Sequence, residues 1–329
     1  MKEADIRPDD IFQRYLELSA ADADIHFNGV ERSTIDCVAC GCSDNTHQFE
    51  KSGFGFALCN RCGTLFQSPR PPIAAFEAFY RDSVSSRYWA QTFFPAVAEA
   101  RRERIFRPRV DRLSDLCVRK NVKVERLIDI GAGYGIFLEE WGKRFPDVKL
   151  VAVEPSQNLA QVCRAKGFEV AEELAENVRG YDGYADLAAC FEVLEHVYEP
   201  VSMIRTLSKL VKPGGYVFVT SLGVDGFDIQ TLWEKSNSIS PPHHINFLSV
   251  AGFKAAFERA GLEDIDVSTP GKLDVDIVRN AYKRDPAILE NNRFARFMVG
   301  DETRAASFQT YLSQNQMSSH VWALARRPV

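Results

Sequence analysis

The sequence predicts an α/β fold with a doubly wound, mostly parallel sheet, and two patterns beyond residue 120 support this prediction. First, seven short apolar segments typical of strands alternate with helical segments, whose apolar residues recur three and four positions apart. Second, two of the helical segments end in glycine, the residue that most often follows a helix. Strands joined through helices pair in parallel, so we expect one sheet with helices on both faces. The predicted strands are 124–130, 148–154, 168–170, 185–193, 214–222, 262–268 and 319–326.

The residues before this alternating pattern predict two further regions. Residues 1–72 combine a helical lead-in, with apolar residues at helical spacing in 9–18, and a cysteine-rich segment that ends in a proline-rich boundary. Residues 73–120 predict a helical linker or lid. The main domain is expected to span residues 121–329, with an insertion at about 270–317 for which no pattern predicts a structure.

Composition excludes several classes of protein. The 329 residues are 45% hydrophobic and 26% charged, which is ordinary for a globular protein that buries a large core. The formal net charge of −5 gives no overall electrostatic reason to expect binding to nucleic acid or to membranes. The first residues lack the basic and apolar regions of a secretory signal, and no apolar run approaches the roughly 20 residues of a transmembrane helix. We therefore expect a cytoplasmic protein.

The cysteines predict one metal site. Five of the eight cysteines lie between Cys37 and Cys62, and four of these form two Cys-x2-Cys pairs separated by eighteen residues. This spacing is typical of a structural zinc ribbon, in which four thiolates close a tetrahedral shell. Cys42 and His47 are also ligand types, but we do not include them. The alternatives are four buried thiols without metal, or a ribbon that also contacts nucleic acid or protein. The predicted zinc ligands are Cys37, Cys40, Cys59 and Cys62.

A glycine-rich turn follows the first predicted strand of the main domain. Asp129 begins the pattern D-x-G-x-G-x-G, whose glycines allow a tight turn and the close approach of a ligand to the backbone. The dinucleotide fingerprint G-x-G-x-x-G needs a third glycine where this chain has Ile136, which weakens an NAD interpretation. Glu154 ends the next strand, where its carboxylate is placed to accept hydrogen bonds from two ribose hydroxyls. Alone, the turn is equally compatible with a simple link between strand and helix.

Together with later segments, the turn resembles the class I S-adenosylmethionine-dependent methyltransferase family. The matching segments are "LIDIGAGYG", "VAVEPS", "ADLAACFEVLEHVYEP" and "LVKPGGYVFVTS", over roughly residues 120–270 plus the last strand. The resemblance implies a seven-stranded Rossmann-like sheet with S-adenosylmethionine as cofactor. It implies that the turn underlies the methionine and ribose, that Asp129 supports the amine, and that Glu154 binds the ribose. The cofactor residues implied are Asp129, Gly131, Ala132, Gly133, Gly135, Glu154, Pro155, Ala171, Glu172 and Phe191.

Acidic residues and histidines follow the fourth and fifth predicted strands. The segment "FEVLEHV" places three of them at i, i+3 and i+4, on one face of a helical turn, and "SPPHHINFLS" adds a histidine pair. A methyl transfer to a hydroxyl or an acidic carbon needs a base, and histidine suits that role near neutral pH. The alternatives are a capping role at the helix start for the first group and backbone-bonded loop histidines for the second. The candidate catalytic residues are Glu192, Glu195, His196, His243 and His244.

Two groups of relatives suggest different chemistry. "CFEVLEHV" resembles the ubiquinone-biosynthesis O-methyltransferases, which implies a divalent metal at Glu192, Glu195 and His196. The zinc segment with "HHINFLS" resembles sugar C-methyltransferases, which implies that His244 is the base. The chain departs from the second group because proline occupies the tyrosine position and the long C-terminal domain of those enzymes has no counterpart. The resulting expectation is O- or C-methylation of a small molecule, a sugar or nucleotide sugar first.

Two other functions remain open. An RNA methyltransferase would use the zinc ribbon and the segment 101–112, which carries six arginines against two acidic residues, to hold a tRNA or rRNA. Arginine pairs well with phosphate oxygens, although a solvated face with salt bridges is the more ordinary explanation of such a segment. The third alternative is a binding module that retains the cofactor site without catalysis.

Overall fold

The computed structural model describes residues 1–329, and it confirms the predicted α/β class. Eleven strands form two sheets, one of seven strands and one of four. The strands are β1 (Asn45–Lys51), β2 (Phe54–Cys59), β3 (Leu65–Gln67), β4 (Arg126–Ile130), β5 (Lys149–Val153), β6 (Glu169–Ala171), β7 (Ala185–Phe191), β8 (Val211–Leu222), β9 (Asn246–Phe247), β10 (Glu263–Ser268) and β11 (His320–Arg326).

Thirteen α-helices accompany the strands. They are α1 (Asp9–Phe27), α2 (Ile73–Asp82), α3 (Val84–Tyr88), α4 (Phe94–Arg101), α5 (Arg107–Arg119), α6 (Ile136–Arg144), α7 (Gln157–Ala165), α8 (Pro200–Leu210), α9 (Phe227–Leu232), α10 (Val250–Arg259), α11 (Asp274–Arg284), α12 (Arg293–Val299) and α13 (Glu302–Gln314). Two π-helical turns, Trp89–Phe93 and Arg102–Phe106, join α3, α4 and α5 into one winding helical segment. Every helix falls short, in length or in apolar content, of what crossing a membrane requires.

The large sheet has the strand order β10-β11-β8-β7-β4-β5-β6. Strands β4 to β8 run parallel, whereas β10 and β11 are antiparallel to their neighbours. The chain leaves β4 towards β5 on one side and later fills the other side with β7. In such sheets ligands bind beyond the carboxyl ends of the strands at this point of reversal. The fold therefore places the end of β4 beside the end of β7, where the glycine turn and the acidic segment meet.

Most strand ends lie one to three residues from the predicted positions, and two of these differences have a visible structural cause. The strand predicted at 185–193 ends at Phe191, because Glu192 adopts a left-handed backbone conformation with a φ of 54°. The strand predicted to start at 214 begins at Val211, which pairs with Ala185 across a register irregularity. Periodicity does not show such irregular pairing, since it depends on the neighbouring strand.

Apolar residues cover both faces of the large sheet, as expected for central parallel strands. On one face, Ile128 and Val217 belong to a cluster that includes Phe253 of α10 and reaches the cysteine-rich segment. On the other face, Leu127 and Phe218 pack with residues of α5 and α6. Helices on both faces leave only the strand ends open to a ligand.

The small sheet, with order β1-β2-β3-β9, connects the N-terminal region to the main domain. Leu65 of β3 pairs with Phe247 of β9, a strand that lies almost 180 positions later in the sequence. Buried Arg70 adds a second connection, since its guanidinium donates to the carbonyl of Tyr198 at 2.7 Å and to Oδ1 of Asn246 at 2.7 Å. The cysteine-rich segment is thus held directly against the loop that contains the paired histidines.

The unassigned region 270–317 is helical. Helices α11, α12 and α13 form a small apolar cluster of their own that includes Val278, Val299 and Leu312. Asp274 at the start of α11 accepts from the backbone N–H of Ser319 at 2.7 Å and from the Ser318 hydroxyl at 2.5 Å, which connects these helices to the segment just before β11.

Candidate active site

A cavity of about 470 Å³ opens at the carboxyl ends of β4 and β7. We call it the main cavity. The glycine turn 131–134 lines it, and so do His196, His243 and His244. Aromatic side chains of α1 and of segment 80–94 close the cavity, with Tyr15 lying 4.9 Å from Trp89 between ring centroids. One enclosed space therefore joins the predicted cofactor turn to the predicted catalytic histidines.

The glycine turn is built as the sequence predicts. The backbone N–H groups of Gly131 and Ala132 both donate to the carbonyl of Val153, at 2.9 and 3.1 Å. Gly131, Gly133 and Gly135 have φ values of 72°, 55° and 67°, a left-handed region that other residues enter only with strain. A Cβ at Gly131 would lie 2.9 Å from Cγ2 of Val193, so this glycine also permits a close approach of two segments.

We expect Gly131→Ala to lower the free energy of unfolding by more than the ~1–3 kcal/mol that left-handed strain alone costs a non-glycine residue. The added methyl group meets Val193, whose branched side chain adjusts poorly. Gly29→Ala is a matched control, because Gly29 has the same φ of 72° with nothing near its Cβ position. Urea denaturation of both variants measures the difference. Equal losses would show that the contact with Val193 has no energetic weight.

Glu154 lies at the end of β5 with its carboxylate held by the backbone. Oε2 accepts from the N–H of Gly133 at 2.8 Å, and Oε1 accepts from the N–H of Ser156 at 2.9 Å. Burial raises the pKa of Glu154, and these two backbone donors oppose that rise. A carboxylate has about four lone-pair positions, so both oxygens retain capacity for further donors such as ribose hydroxyls.

Asp129 is a buried acceptor that lacks a partner. Its side chain is 2% exposed, it lines the main cavity, and its Oδ1 has no hydrogen-bond donor. Burial and the neighbouring Glu154 carboxylate raise the pKa of Asp129 well above its usual range. Buried acceptors in proteins are normally satisfied, so this site fits a ligand that brings a donor with positive charge. The amine of a methionine moiety is such a donor.

The other predicted cofactor residues lie in two positions. Ala132 and Phe191 line the main cavity, as do Tyr134 and Leu159, which the sequence analysis did not single out. A second group, Pro155, Ala171 and Glu172, lies outside the cavity wall, and Glu154 is likewise not among the residues that line it. The carbonyl of Ala171 accepts from the Glu154 N–H at 3.0 Å, whereas Glu172 pairs with Arg164 at 2.7 Å. Because Pro155, Ala171 and Glu172 do not line the main cavity, no contact in the structure supports a role for them in binding adenine.

Glu192 forms an ion pair with an arginine that the sequence analysis did not assign to the site. Nη2 of buried Arg109 donates to its Oε1 at 2.6 Å, and the Thr220 hydroxyl donates to the same atom at 2.5 Å. Nδ1 of His320 lies 3.5 Å from this oxygen. Burial raises the pKa of Glu192, but these neighbours outweigh burial and hold it below its usual range. Glu192 is therefore a charged carboxylate whose Oε1 is held by these neighbours.

Glu195 has the opposite electrostatic environment. Its side chain is buried, its Oε2 accepts from the Ser221 hydroxyl at 2.7 Å, and burial together with the charge of Glu192 raises its pKa. Two carboxyls three residues apart thus titrate in opposite directions from their ordinary values. Paired groups with separated pKa values are frequent in active sites.

The histidines differ in which ring nitrogen is free. Nδ1 of His244 lies 2.7 Å from the Ser238 carbonyl, which only accepts, so Nδ1 carries the proton and Nε2 keeps a lone pair. The same reasoning applies to His196, whose Nδ1 lies 3.0 Å from the carbonyl of His243. In contrast, Nε2 of His243 bonds the Ser85 hydroxyl at 2.9 Å. Burial lowers the pKa of His196 to about 4 and that of His244 to about 3, so both rings are neutral.

The structure also brings together a group of metal-ligand type. Ligand atoms of Glu195, His196 and His244 all lie within 4.8 Å of one another. The sequence analysis placed Glu192 in this group instead of His244, but the Glu192 carboxylate is directed to Arg109. The sequence could not indicate that His244 takes the place of Glu192, because His244 reaches the group only through the fold of loop 236–249.

The four predicted zinc ligands come together in the N-terminal region. All four Sγ atoms lie within 4.8 Å of one another, with Cys37 and Cys62 separated by 3.6 Å and Cys40 and Cys59 by 3.5 Å. Zinc–sulfur bonds of about 2.3 Å place tetrahedral sulfurs about 3.8 Å apart, so this arrangement fits the metal. The distances exceed a disulfide bond of ~2.05 Å. Cys42 is not part of this cluster.

Comparisons with known proteins agree with the fold and the site. A family model described as "Methyltransferase domain" matches residues 97–267, slightly more than half of the chain. A ubiquinone biosynthesis O-methyltransferase from Pectobacterium carotovorum is 31% identical over 105 residues, which cover 30% of this chain and 43% of that protein. One from Aliivibrio fischeri is 34% identical over 109 residues, covering 30% and 44%. The similarity therefore spans less than half of either relative.

Among solved structures, a SAM-dependent methyltransferase from Thermotoga maritima has a TM-score of 0.44 at 18% sequence identity. The alignment covers 71% of this chain and 97% of that protein. The family match contains β4 to β10, the glycine turn and all five candidate catalytic residues. The chain belongs to the methyltransferase domain family, which confirms the resemblance seen in its sequence.

Proposed function

We propose that this protein is an S-adenosylmethionine-dependent methyltransferase whose acceptor is a small molecule, a sugar or nucleotide sugar first. The observation that carries this proposal is the continuity of the main cavity. Asp129 and the glycine turn line one side of it, and the free Nε2 of His244 lies on a residue that lines the other. A donor site and a base within one enclosed space are what methyl transfer to a weakly acidic group requires.

The cofactor, when bound, supplies a methyl group activated by a positively charged sulfonium. The chain binds and orients it. Asp129 offers an unpartnered carboxyl oxygen to the amine, and Glu154 offers its remaining lone pairs to the ribose hydroxyls. Phe94 and Tyr134 stack at 4.9 Å and 2° over the glycine turn, which shields this end of the cavity from water.

His244 is the proposed base for the acceptor. Its Nδ1–H bond to Ser238 fixes the tautomer, so that Nε2 accepts a proton from an acceptor hydroxyl or acidic carbon. Its low pKa keeps the ring neutral and Nε2 unprotonated at neutral pH, although it also makes Nε2 a weaker base than an ordinary imidazole. His243 is less suited, because its Nε2 already bonds Ser85 and its ring packs 4.8 Å from Phe79 and 5.4 Å from Tyr15 between centroids. It positions His196 through its carbonyl instead.

The sugar class of acceptor is supported by two features. The zinc segment and the "HHINFLS" loop together resemble sugar C-methyltransferases. The acceptor side of the main cavity combines aromatic walls, including Phe12, Tyr15 and Trp89, with a few polar groups, a composition typical of small-molecule sites. Binding of a divalent metal is the alternative role for Glu195, His196 and His244, since their side chains suit zinc or a similar ion.

Calorimetric titration of S-adenosylhomocysteine, with NAD as control, tests the proposed function. We expect micromolar binding of the first compound and none of the second, because Ile136 occupies the position of the third fingerprint glycine. Turnover with radiolabelled donor is then assayed on sugar nucleotides. Binding of NAD alone, or of neither compound, would contradict the proposal.

Replacing Glu154 by alanine is expected to weaken S-adenosylhomocysteine binding about 10- to 100-fold, since hydrogen bonds to a charged group contribute about 1.5–3 kcal/mol. Glu154→Gln retains one acceptor oxygen and is expected to give an intermediate loss. Glu173→Ala is the control, because Glu173 is exposed and lies outside the main cavity. Unchanged affinity in Glu154→Ala, in a variant whose thermal unfolding shows that it is folded, would refute the ribose assignment.

A further inference from the structure

A second cavity of about 280 Å³ adjoins the main cavity. We call it the side cavity. Arg7, Arg101, Arg109, Glu192 and Leu222 are among the residues that line both cavities, so the two spaces share a wall. The start of the chain, segment 101–112, the turn before α11 and the segment before β11 enclose the side cavity. A molecule that reaches the methyl donor can therefore extend into it.

The side cavity is strongly basic in a chain whose net charge is −5. Two acidic residues line it, Glu192 and Asp274, and both have partners: Oε1 of Glu192 accepts from Arg109, and Asp274 accepts from Ser318 and Ser319. Six cationic residues line it, namely Arg7, Arg101, Arg104, Arg109, Arg112 and Lys272.

Most of these cations have no carboxylate partner. Arg109 pairs with Glu192 and Arg104 with Asp5, whereas the other four form no salt bridge. The Nε atoms of Arg7 and Arg101 are buried without any hydrogen-bond acceptor. A buried N–H donor without an acceptor is costly, which favours a ligand that supplies one.

The cations also repel one another. Burial, and then the charges of Arg7 and Arg109, lower the pKa of Arg101 to about 9. Aromatic rings lie next to two of the guanidinium groups. Cζ of Arg101 is 5.5 Å from the ring centroid of Phe94, and Cζ of Arg112 is 5.1 Å from that of Trp322. Ring faces hold a cation in place but do not neutralise it. An anion with several oxygens would relieve this repulsion and bond several arginines at once.

Two other arginines of segment 101–112 are paired with carboxylates. Arg102 pairs with Glu139 at 2.9 Å and with Glu140 at 2.7 Å, and Arg107 pairs with Glu140 at 2.8 Å. The unpaired Arg101 and Arg112 line the side cavity instead, and Arg112 is also exposed to solvent. A concave site of about 280 Å³ fits a small anion better than the backbone of an RNA.

The methyl donor does not account for these charges. Its methionine part carries one carboxylate, which one arginine of the shared wall binds with both of its oxygens. Arg112 and Lys272 line the side cavity alone and lie outside the main cavity. Unpaired cations remain after the donor is bound.

We propose that the side cavity binds a phosphate or diphosphate group carried by the methyl acceptor. This inference rests on the proposed function, which supplies the methyl transfer in the main cavity. The acceptor would place its reactive group beside His244 and its phosphate among Arg7, Arg101 and Arg112. Phosphate recognition then selects anionic acceptors, and neutral sugars of the same shape bind poorly.

Inorganic pyrophosphate tests the proposal, titrated calorimetrically into protein saturated with S-adenosylhomocysteine. We expect pyrophosphate to bind with the donor site filled, and the double variant Arg112→Gln, Lys272→Gln to bind it at least about tenfold more weakly. Arg119→Gln is the matched control, because Arg119 is exposed on the same helix, α5, and lines neither cavity. Its affinity is expected to stay within about twofold of the wild type.

Three outcomes would overturn the proposal. The first is no pyrophosphate binding by the filled protein. The second is an equal loss in Arg119→Gln, which would indicate general charge attraction. The third is tighter binding of a single-stranded RNA oligonucleotide than of pyrophosphate, with a steep salt dependence that the double variant removes. Saturation with S-adenosylhomocysteine is measured first and separately, so a failure of the proposed function is seen before pyrophosphate is added.

Discussion

Replacing Cys37 and Cys62 together by serine is expected to remove bound zinc and to lower the midpoint of thermal unfolding by about 10 °C or more. Structural zinc contributes about 10–16 kcal/mol of binding free energy in zinc-finger peptides, comparable to the whole stability of a typical domain. For a domain of 150–250 residues, 1 kcal/mol corresponds to about 2–4 °C. A partial loss of the zinc contribution therefore suffices for this shift.

The loss is expected to spread beyond the cysteine segment, because α10 packs directly on it. Nη1 of Arg259 donates to the carbonyl of Ala39 at 2.8 Å, and the Ser249 hydroxyl donates to the carbonyl of Cys62. Gly252 of α10 leaves room for Thr64, whose Oγ1 would lie 2.1 Å from a Cβ at that glycine. Unfolding of the cysteine segment would expose the face of α10 that these contacts cover.

Metal content by mass spectrometry and thermal unfolding by circular dichroism measure the two effects. Cys42→Ser is the matched control, since Cys42 lies in the same segment outside the sulfur cluster. It is expected to retain zinc and the wild-type midpoint. Wild-type protein that purifies without zinc, or a double variant that unfolds like the wild type, would disprove the zinc assignment.

Replacing His244 by alanine is expected to lower kcat about 10²- to 10⁴-fold, the range that a positioned general base contributes. The loss is expected because the other free ring nitrogen on this wall, Nε2 of His196, is in a different position: its ring is held by the carbonyl of His243, with its centroid 4.8 Å from that of His244. The measurement is turnover on an identified acceptor at saturating donor concentration. S-adenosylhomocysteine affinity is measured in parallel, to show that the donor site is intact.

His47→Ala controls for the loss of a histidine, because His47 is exposed on β1 and lines neither cavity. Measuring the activity of the wild type in the presence of a chelator distinguishes a general base at His244 from a metal site at Glu195, His196 and His244. Loss that Mg²⁺ or Mn²⁺ restores would assign Glu195, His196 and His244 to a metal. Full turnover of His244→Ala would remove this residue from the mechanism altogether.

The parts of the fold predicted correctly depend on short stretches of sequence. Strands β4, β5 and β7 are recognisable because each is mainly apolar and is followed by a helix with its own periodicity. The glycine turn is recognisable because Gly131, Gly133 and Gly135 each occupy a backbone conformation that favours glycine. The zinc site is recognisable because the spacing of the two Cys-x2-Cys pairs is visible in the sequence. In all three cases the physical cause lies within about twenty neighbouring residues.

The features that the sequence did not reveal depend on distant contacts. Arg109 belongs to a helix that was assigned to a linker, and it reaches Glu192 only because α5 packs across the sheet. His320 enters the site because β11 pairs with β8 in a register that places it opposite Leu222. Helices α11 to α13 bury residues mainly against one another, so their arrangement depends on contacts between helices. No local pattern encodes such partners.

The pairing of β3 with β9 has a practical consequence for engineering this protein. The family match begins at residue 97, after the whole cysteine segment, and ends before β11. A shortened protein cut at those boundaries would leave Asn246 and Phe247 without their strand partners, two positions after His244. It would also lack His320 and its contact with Glu192. The smallest unit that keeps these contacts of the loop and of Glu192 is therefore larger than the matched domain, and it includes β3 and β11.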